Sequence, residues 1–214
     1  MPRRSRSSRF ERRLEELVAY VSSETHPGLG MTNELLDNLA RQLCPLLFRG
    51  VLLSGELLSS KGRSIIGALS RRPPHRRRFT LIVNLGSHFV TLHVAGETAL
   101  YADSLGRPCS DPSVFRFVER AAARLTPRRR RASSSSPAIR LLYNTRPIQG
   151  RRSIYCGLYA LLFARCLESP VGEWPGEGGR LRFGEPSPEG SSERNDQLCV
   201  KYLREFCKRP ATLK

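Results

Sequence analysis

Three short β-rich runs, residues 79–84, 89–94 and 99–102, follow one another with only the turn-like Leu85-Gly86-Ser87 and Ala95-Gly96-Glu97 between them. Connections this short join neighbouring antiparallel strands, so the runs predict a three-strand meander. Helical patterns lie on either side. Phe10, Leu14, Leu17, Val18 and Val21 recur at helical spacing, and so do Leu35, Leu36, Leu39, Ala40 and Leu43 after Thr32, an N-cap candidate. Asp111-Pro112 offers an N-cap and a first-turn proline for a helix through Leu125, and residues 138–143 predict a further strand, for a sheet of about four. Residues 157–167 are apolar enough for a buried helix, 169–190 form a Pro/Gly-rich loop, and 193–208 return to an amphipathic helix. The expected class is α+β, a small central, mostly antiparallel sheet flanked by helices. There is no internal repeat.

A chain of 214 residues is one ordinary domain and can bury its own core. That domain is expected over residues 14–214, after a basic flexible arm at residues 1–13 that carries six arginines and one glutamate. Charge is concentrated in three places: Arg3, Arg4 and Arg6 in the arm; Arg71, Arg72, Arg76, Arg77 and Arg78 in a proline-stiffened loop; and Arg128, Arg129, Arg130 and Arg131 in a loop running into serines. The loops at 71–78, 127–137 and 169–190 are expected to be mobile. One such cluster is as readily a solvated surface. Three of them, with 36 Lys+Arg against 19 Asp+Glu and a net charge of +17, point to a polyanion, because each neutralised phosphate releases counterions whatever the sequence.

Several classes are disfavoured. The apolar stretches at 46–53 and 158–163 are far shorter than a membrane span, and the basic start is not followed by an apolar run, so neither a membrane anchor nor a secretory signal is expected. An intracellular protein follows. The six cysteines are scattered and form no CxxC pair, all four histidines precede Cys156, and no HExxH helix occurs, which argues against a disulfide framework and against a zinc site. No GxxxxGK[ST] loop is present for nucleotide phosphates.

What remains is a set of four residue types in order. A thiol protease needs a thiolate, an imidazole to shuttle its proton, a carboxylate to orient that imidazole and donors for the oxyanion. Cys156 stands where a loop meets the apolar helix, and a helix N-terminus favours the thiolate. His88 and His93 are five residues apart, so on one regular strand they face opposite ways and only one can meet the cysteine. His93 falls in register with Phe89 and Thr91, whereas His88 enters from the Gly86-Ser87 turn, where a catalytic group is exposed. Asp103 ends the next strand, and a hairpin brings it beside His88. Gln149, seven residues before Cys156, offers an amide that can act with the Cys156 N–H on an oxyanion. Taken singly, each residue is more often structural: a core histidine, a turn aspartate, a surface glutamine.

The papain order, cysteine first and histidine far downstream, is excluded because no histidine follows Cys156. The order His88, Asp103, Gln149, Cys156 resembles that of the adenovirus-type endopeptidase (adenain) and its relatives, the SUMO-deconjugating proteases. Gly86-Ser87-His88-Phe89 through Asp103-Ser104-Leu105-Gly106 is similar to the family's G-x-H-W block and acid-ended strand, and residues 149–159 to its Q-G-x-x-S-x-x-C-G-L-[FY] block. The seven-residue spacing is that of the adenain branch. Phe89 stands where tryptophan is usual, and Asp103 where adenain-type enzymes often have glutamate. The resemblance implies a papain-like cysteine protease core in permuted order, with Cys156 as nucleophile, His88 as base and acid, Asp103 as orienter and Gln149 at the oxyanion.

It further implies a viral maturation endopeptidase that cleaves capsid or core precursors around DNA, in the virion and the host nucleus, as a monomer without a cofactor for the chemistry. DNA is a candidate activator. Adenovirus enzymes also take a peptide through a disulfide, but Ala138, eleven residues before Gln149, stands where their cysteine would be. Two rivals remain open: a protease that removes a ubiquitin-like modifier, and a basic DNA-binding core protein in which Cys156 is merely buried.

Overall fold

The computed structural model describes residues 6–21, 31–125, 140–168, 181–184, 186 and 193–208. Its centre is a five-stranded sheet in the order β1 (Phe48–Leu53), β2 (Arg78–Asn84), β3 (Phe89–Ala95), β4 (Thr98–Ala102), β5 (Arg140–Tyr143). The meander forms as the turn spacing predicts, with β2, β3 and β4 antiparallel in sequence. Both edge pairings, β1 with β2 and β4 with β5, are parallel. The sheet is therefore mixed, where a mostly antiparallel sheet of about four strands was expected. The added strand is β1. Its run at 46–53 is short and continuously apolar, a pattern that a strand shares with a buried helical segment.

Parallel neighbours need a crossover, and helices supply both. After a 3-10 turn at Ser54–Leu58, α3 (Ser60–Ser70) returns the chain from β1 to β2, and α4 (Pro112–Leu125) lies between β4 and β5. Asp111 caps α4, its carboxylate accepting the Ser113 N–H at 2.7 Å. Both helices cover the sheet face that carries Leu81, Val83, Val90, Leu92 and Tyr101. The other face, with Ile82, Phe89 and Ala102, packs against α2 (Asn33–Leu43) and α5 (Cys156–Cys166), and α6 (Glu193–Cys207) packs on α5. Because both faces are covered, the central five residues of β2 are all buried, and apart from Thr80 they are apolar rather than alternating.

All eleven residues of α5 are buried, which is why its sequence shows no polar stripe. Beside it, Glu168 is fully buried and its carboxylate accepts the backbone N–H groups of Leu46, Leu47 and Phe48, anchoring the start of β1. Thr32 caps α2 by accepting the Leu35 N–H at 3.3 Å.

Parts of the arm and of two of the loops carry regular structure or buried residues. Helix α1 (Arg6–Val21) begins within the basic arm, so residues 6–13 are helical, and fully buried Leu14 ties the helix to the core. In the 71–78 segment Arg71 caps α3, residues 74–76 form a 3-10 turn and Arg78 begins β2. Within 169–190, Leu181 and Phe183 are buried in the core and buried Asn195 clamps Gly184 through both backbone groups. The 127–137 loop lies outside the described residues.

Candidate active site

The turn before β3 is closed by a Leu85 N–H to His88 carbonyl hydrogen bond of 2.8 Å, and Gly86 adopts a φ of +100° that suits only glycine. Asn84 accepts the Gly86 N–H at 2.8 Å and donates to Asn33 of α2 at 2.7 Å. His88 thus leaves a fixed turn at the mouth of the strand. The register of β3 and β4 pairs Thr91 with Ala102, which carries Asp103 past the end of β4 to the level of that mouth. There His88 Nε2 donates to Asp103 Oδ1 at 2.6 Å.

Asp103 is 2% exposed and held from several sides. The Asn144 side chain accepts the Asp103 N–H at 2.7 Å and donates to its carbonyl at 2.6 Å, and the Leu105 N–H donates to Oδ1 at 2.8 Å. Gly106 then turns the chain with a φ of +67°, so close to the backbone of Thr145, Arg146 and Pro147 that a Cβ would sit 2.7 Å from the Pro147 nitrogen. A side chain at 106 would push the two loops apart.

The Cys156 thiol lines the same cleft as the His88 ring and acts on it electrostatically. With Nε2 turned to the carboxylate, Nδ1 is the ring nitrogen left to serve as a base. Burial alone would depress the imidazolium, but the hydrogen bonds and charges of Asp103 and Cys156 outweigh it and raise the His88 pKa to about 9. Cys156 is the first residue of α5 and 9% exposed. Its neighbour Gly157 packs against Met31, whose sulfur would stand 3.1 Å from an added Cβ.

Gln149 is 3% exposed and oriented by two serines. Ser104 donates its hydroxyl to Oε1, and Nε2 donates to the Ser153 carbonyl at 2.7 Å. Ser153 is itself held by α6: its hydroxyl donates to Asp196 at 2.9 Å and accepts the Tyr155 N–H at 3.2 Å. Asp196 also accepts the Tyr159 hydroxyl at 2.9 Å. Cys156, His88 and Gln149 all line one cleft of about 550 Å³.

His93 lies elsewhere. It sits further along β3 and its Nδ1 meets the Thr80 hydroxyl at 3.0 Å, while burial and the nearby Arg78 lower its pKa to about 4. Of the candidate DNA-contact residues, Arg71, Arg72 and Arg76 are exposed. Arg77 is engaged, donating to the carbonyls of Arg72 at 2.7 Å and Leu125 at 3.1 Å. Arg6 opens α1, and Arg3, Arg4, Arg128, Arg129, Arg130, Arg131 and Ala138 lie outside the described residues. No group of three or more metal-ligating side chains occurs among the described residues, and none of their helices is long and apolar enough to cross a membrane.

Sequence reasoning missed Ser104, Asn144, Ser153 and Asp196. Each is a common polar residue whose partner is remote in the chain; only the serine of the Q-G-x-x-S-x-x-C block, Ser153, carried any local signal.

No family model and no curated protein matches the sequence. Solved structures do. A de-sumoylating protease superposes with a TM-score of 0.52 over 90% of this chain and 84% of its own, at 13% identity. The fold is therefore similar to that of a de-sumoylating protease. The ASFV protease also matches, with a TM-score of 0.50 over 86% of this chain and 69% of its own, at 16% identity. Both likenesses extend over most of this chain rather than over one motif.

Proposed function

We propose that the chain is a cysteine endopeptidase whose Cys156 thiolate is generated by His88. The observation that carries this reading is that His88, with the Asp103 carboxylate 2.6 Å from its ring, shares one cleft with Cys156, which opens a buried helix. His88 takes the thiol proton, so that thiolate and imidazolium form a pair, and the thiolate attacks the scissile carbonyl carbon. The developing oxyanion receives the Cys156 N–H and the second amide hydrogen of Gln149, the first being held by Ser153. His88 then protonates the leaving amine. Water, deprotonated by the same ring, hydrolyses the thioester and restores the enzyme. No step needs a metal or an organic cofactor.

The reading extends to a maturation protease for viral capsid or core precursors, acting in the virion and host nucleus on substrates gathered on DNA. The +17 charge and the exposed Arg71, Arg72 and Arg76 support DNA as a sequence-independent partner. Removal of a ubiquitin-like modifier is the second reading, favoured by the match to a de-sumoylating protease over 90% of this chain. One experiment separates these: labelling with a thiol-reactive probe based on a ubiquitin-like C-terminus, and with a short peptide probe, each with and without duplex DNA and with Cys156→Ala as control. Peptide labelling stimulated by DNA supports the maturation protease; labelling by the modifier probe alone supports the deconjugase. Absence of Cys156-dependent labelling by either overturns the endopeptidase reading.

A further inference from the structure

The cleft around Cys156 is charged on one side of the balance only. Arg107 and Arg151 line it together with His88, and no aspartate or glutamate does. Both arginines are exposed, and neither makes an ion pair among the described residues. Among the described residues the carboxylates nearest the cleft are engaged: buried Asp103 holds His88, and Asp196 accepts the Ser153 and Tyr159 hydroxyls.

Their backbones are not loose. Arg107 follows Gly106, whose turn lies against residues 145–147, and Arg151 follows Gln149 and Gly150. The two loops are stitched together where the Ser104 carbonyl accepts the N–H groups of Ile148 and Gln149, each at 2.9 Å, and the Ser153 N–H closes the second loop on the Gly150 carbonyl at 3.0 Å. The same clamps that position Asp103 and Gln149 therefore carry two guanidiniums at the rim of the cleft. A cation carried there, with no ion pair of its own among the described residues, attracts a carboxylate that enters the cleft.

We propose that Arg107 and Arg151 are specificity residues that select substrates bearing Asp or Glu close to the scissile bond. This rests on the endopeptidase reading and names its substrate class: an extended acidic segment, rather than the neutral or basic segments that a +17 chain would otherwise repel or tolerate. The charges act away from the reacting atoms, so they favour the bound substrate and the transition state alike and the preference appears in KM more than in kcat.

The test is a pooled library of unstructured peptides, degenerate except for Asp/Glu or Asn/Gln fixed at each of the three positions on either side of a central degenerate pair. It is digested by the full chain, and the products are sequenced by mass spectrometry. Acidic members are expected to be cleaved with a kcat/KM about three- to tenfold above their amide counterparts, the size that two exposed ion pairs support. The ratio should collapse to about one in Arg107→Ala/Arg151→Ala, invert in Arg107→Glu/Arg151→Glu, survive in the double Lys variant and shrink at high salt. Cleavage with equal rates for acidic and amide peptides, or a preference unchanged in the Ala and Glu variants, overturns the inference and leaves the endopeptidase standing. No Cys156-dependent cleavage of any peptide overturns both.

Discussion

At the mouth of β3 the His88 ring lies between Asp103 and Cys156 and its pKa rises to about 9; further along the same strand His93 meets Thr80 and its pKa falls to about 4. Burial pushes both rings towards the neutral form. The difference comes from the company each keeps. His88 has a buried carboxylate and a thiol, whereas His93 has a hydroxyl and a nearby guanidinium. One strand thus holds a histidine whose partners favour its charged form, and another whose surroundings favour the neutral one and which belongs to the packing.

The sharpest way to break this comparison is to remove each ring. His88→Ala should lower kcat/KM at least about a thousandfold, since the thiolate loses its counterion and the leaving group its acid, while His93→Gln keeps activity within a few-fold. Thermal melts of both variants check the fold. Comparable losses in the two would end the distinction.

Next in size is the oxyanion side. Gln149→Ala should cost roughly a hundredfold in kcat with little change in KM. Ser104→Ala, which frees the Gln149 amide to rotate, should cost about tenfold in kcat by the same route. A change confined to KM would make Gln149 a substrate-binding residue instead.

The pH profile sharpens the comparison further. The imidazolium of His88 persists up to about pH 9, so kcat/KM should fall above that value, and in Asp103→Asn the falling limb should move to lower pH because a raising contribution is lost. An alkaline limb unmoved by that substitution would mean that the carboxylate does not set the ring.

The smallest expected effect is on stability, and the two histidines act with opposite signs. His88, raised in the folded state, contributes stability that is complete below the unfolded value near 6.5 and is lost as pH rises through about 9. His93, depressed when folded, contributes stability present above about 6.5 that is lost as pH falls towards 4, up to about 2–3 kcal/mol. Denaturant melts between pH 7 and 4 should show a weaker acid loss in His93→Gln than in the parent. Equal slopes would show that His93 is as solvated in the folded chain as in the unfolded one.

The meander, the caps at Thr32 and Asp111 and the buried helix behind Cys156 were legible because each is a local pattern, a period or a spacing within about a dozen residues. Strand β1 was not, since a short apolar run carries no period and its pairing partner β2 begins beyond a helix. The order His88, Asp103, Gln149, Cys156 was likewise readable, because each residue stands at a strand end, turn or helix start that its neighbours announce.

The amino-acid sequence by itself determined the elements, the central hairpins and the short list of residues with the chemistry of a thiol protease. Tertiary structure alone decided that Asn144 clamps Asp103, and that Asp196 on the last helix steadies Ser153 and, through it, Gln149. It also decided that Arg107 and Arg151 share one cleft while Arg77 is taken up by carbonyls. The physical reason is one of range. Propensity and periodicity act within a few turns of chain, but a pKa or a side-chain orientation depends on groups a few ångströms away in space that come from 15 to 45 residues away in sequence.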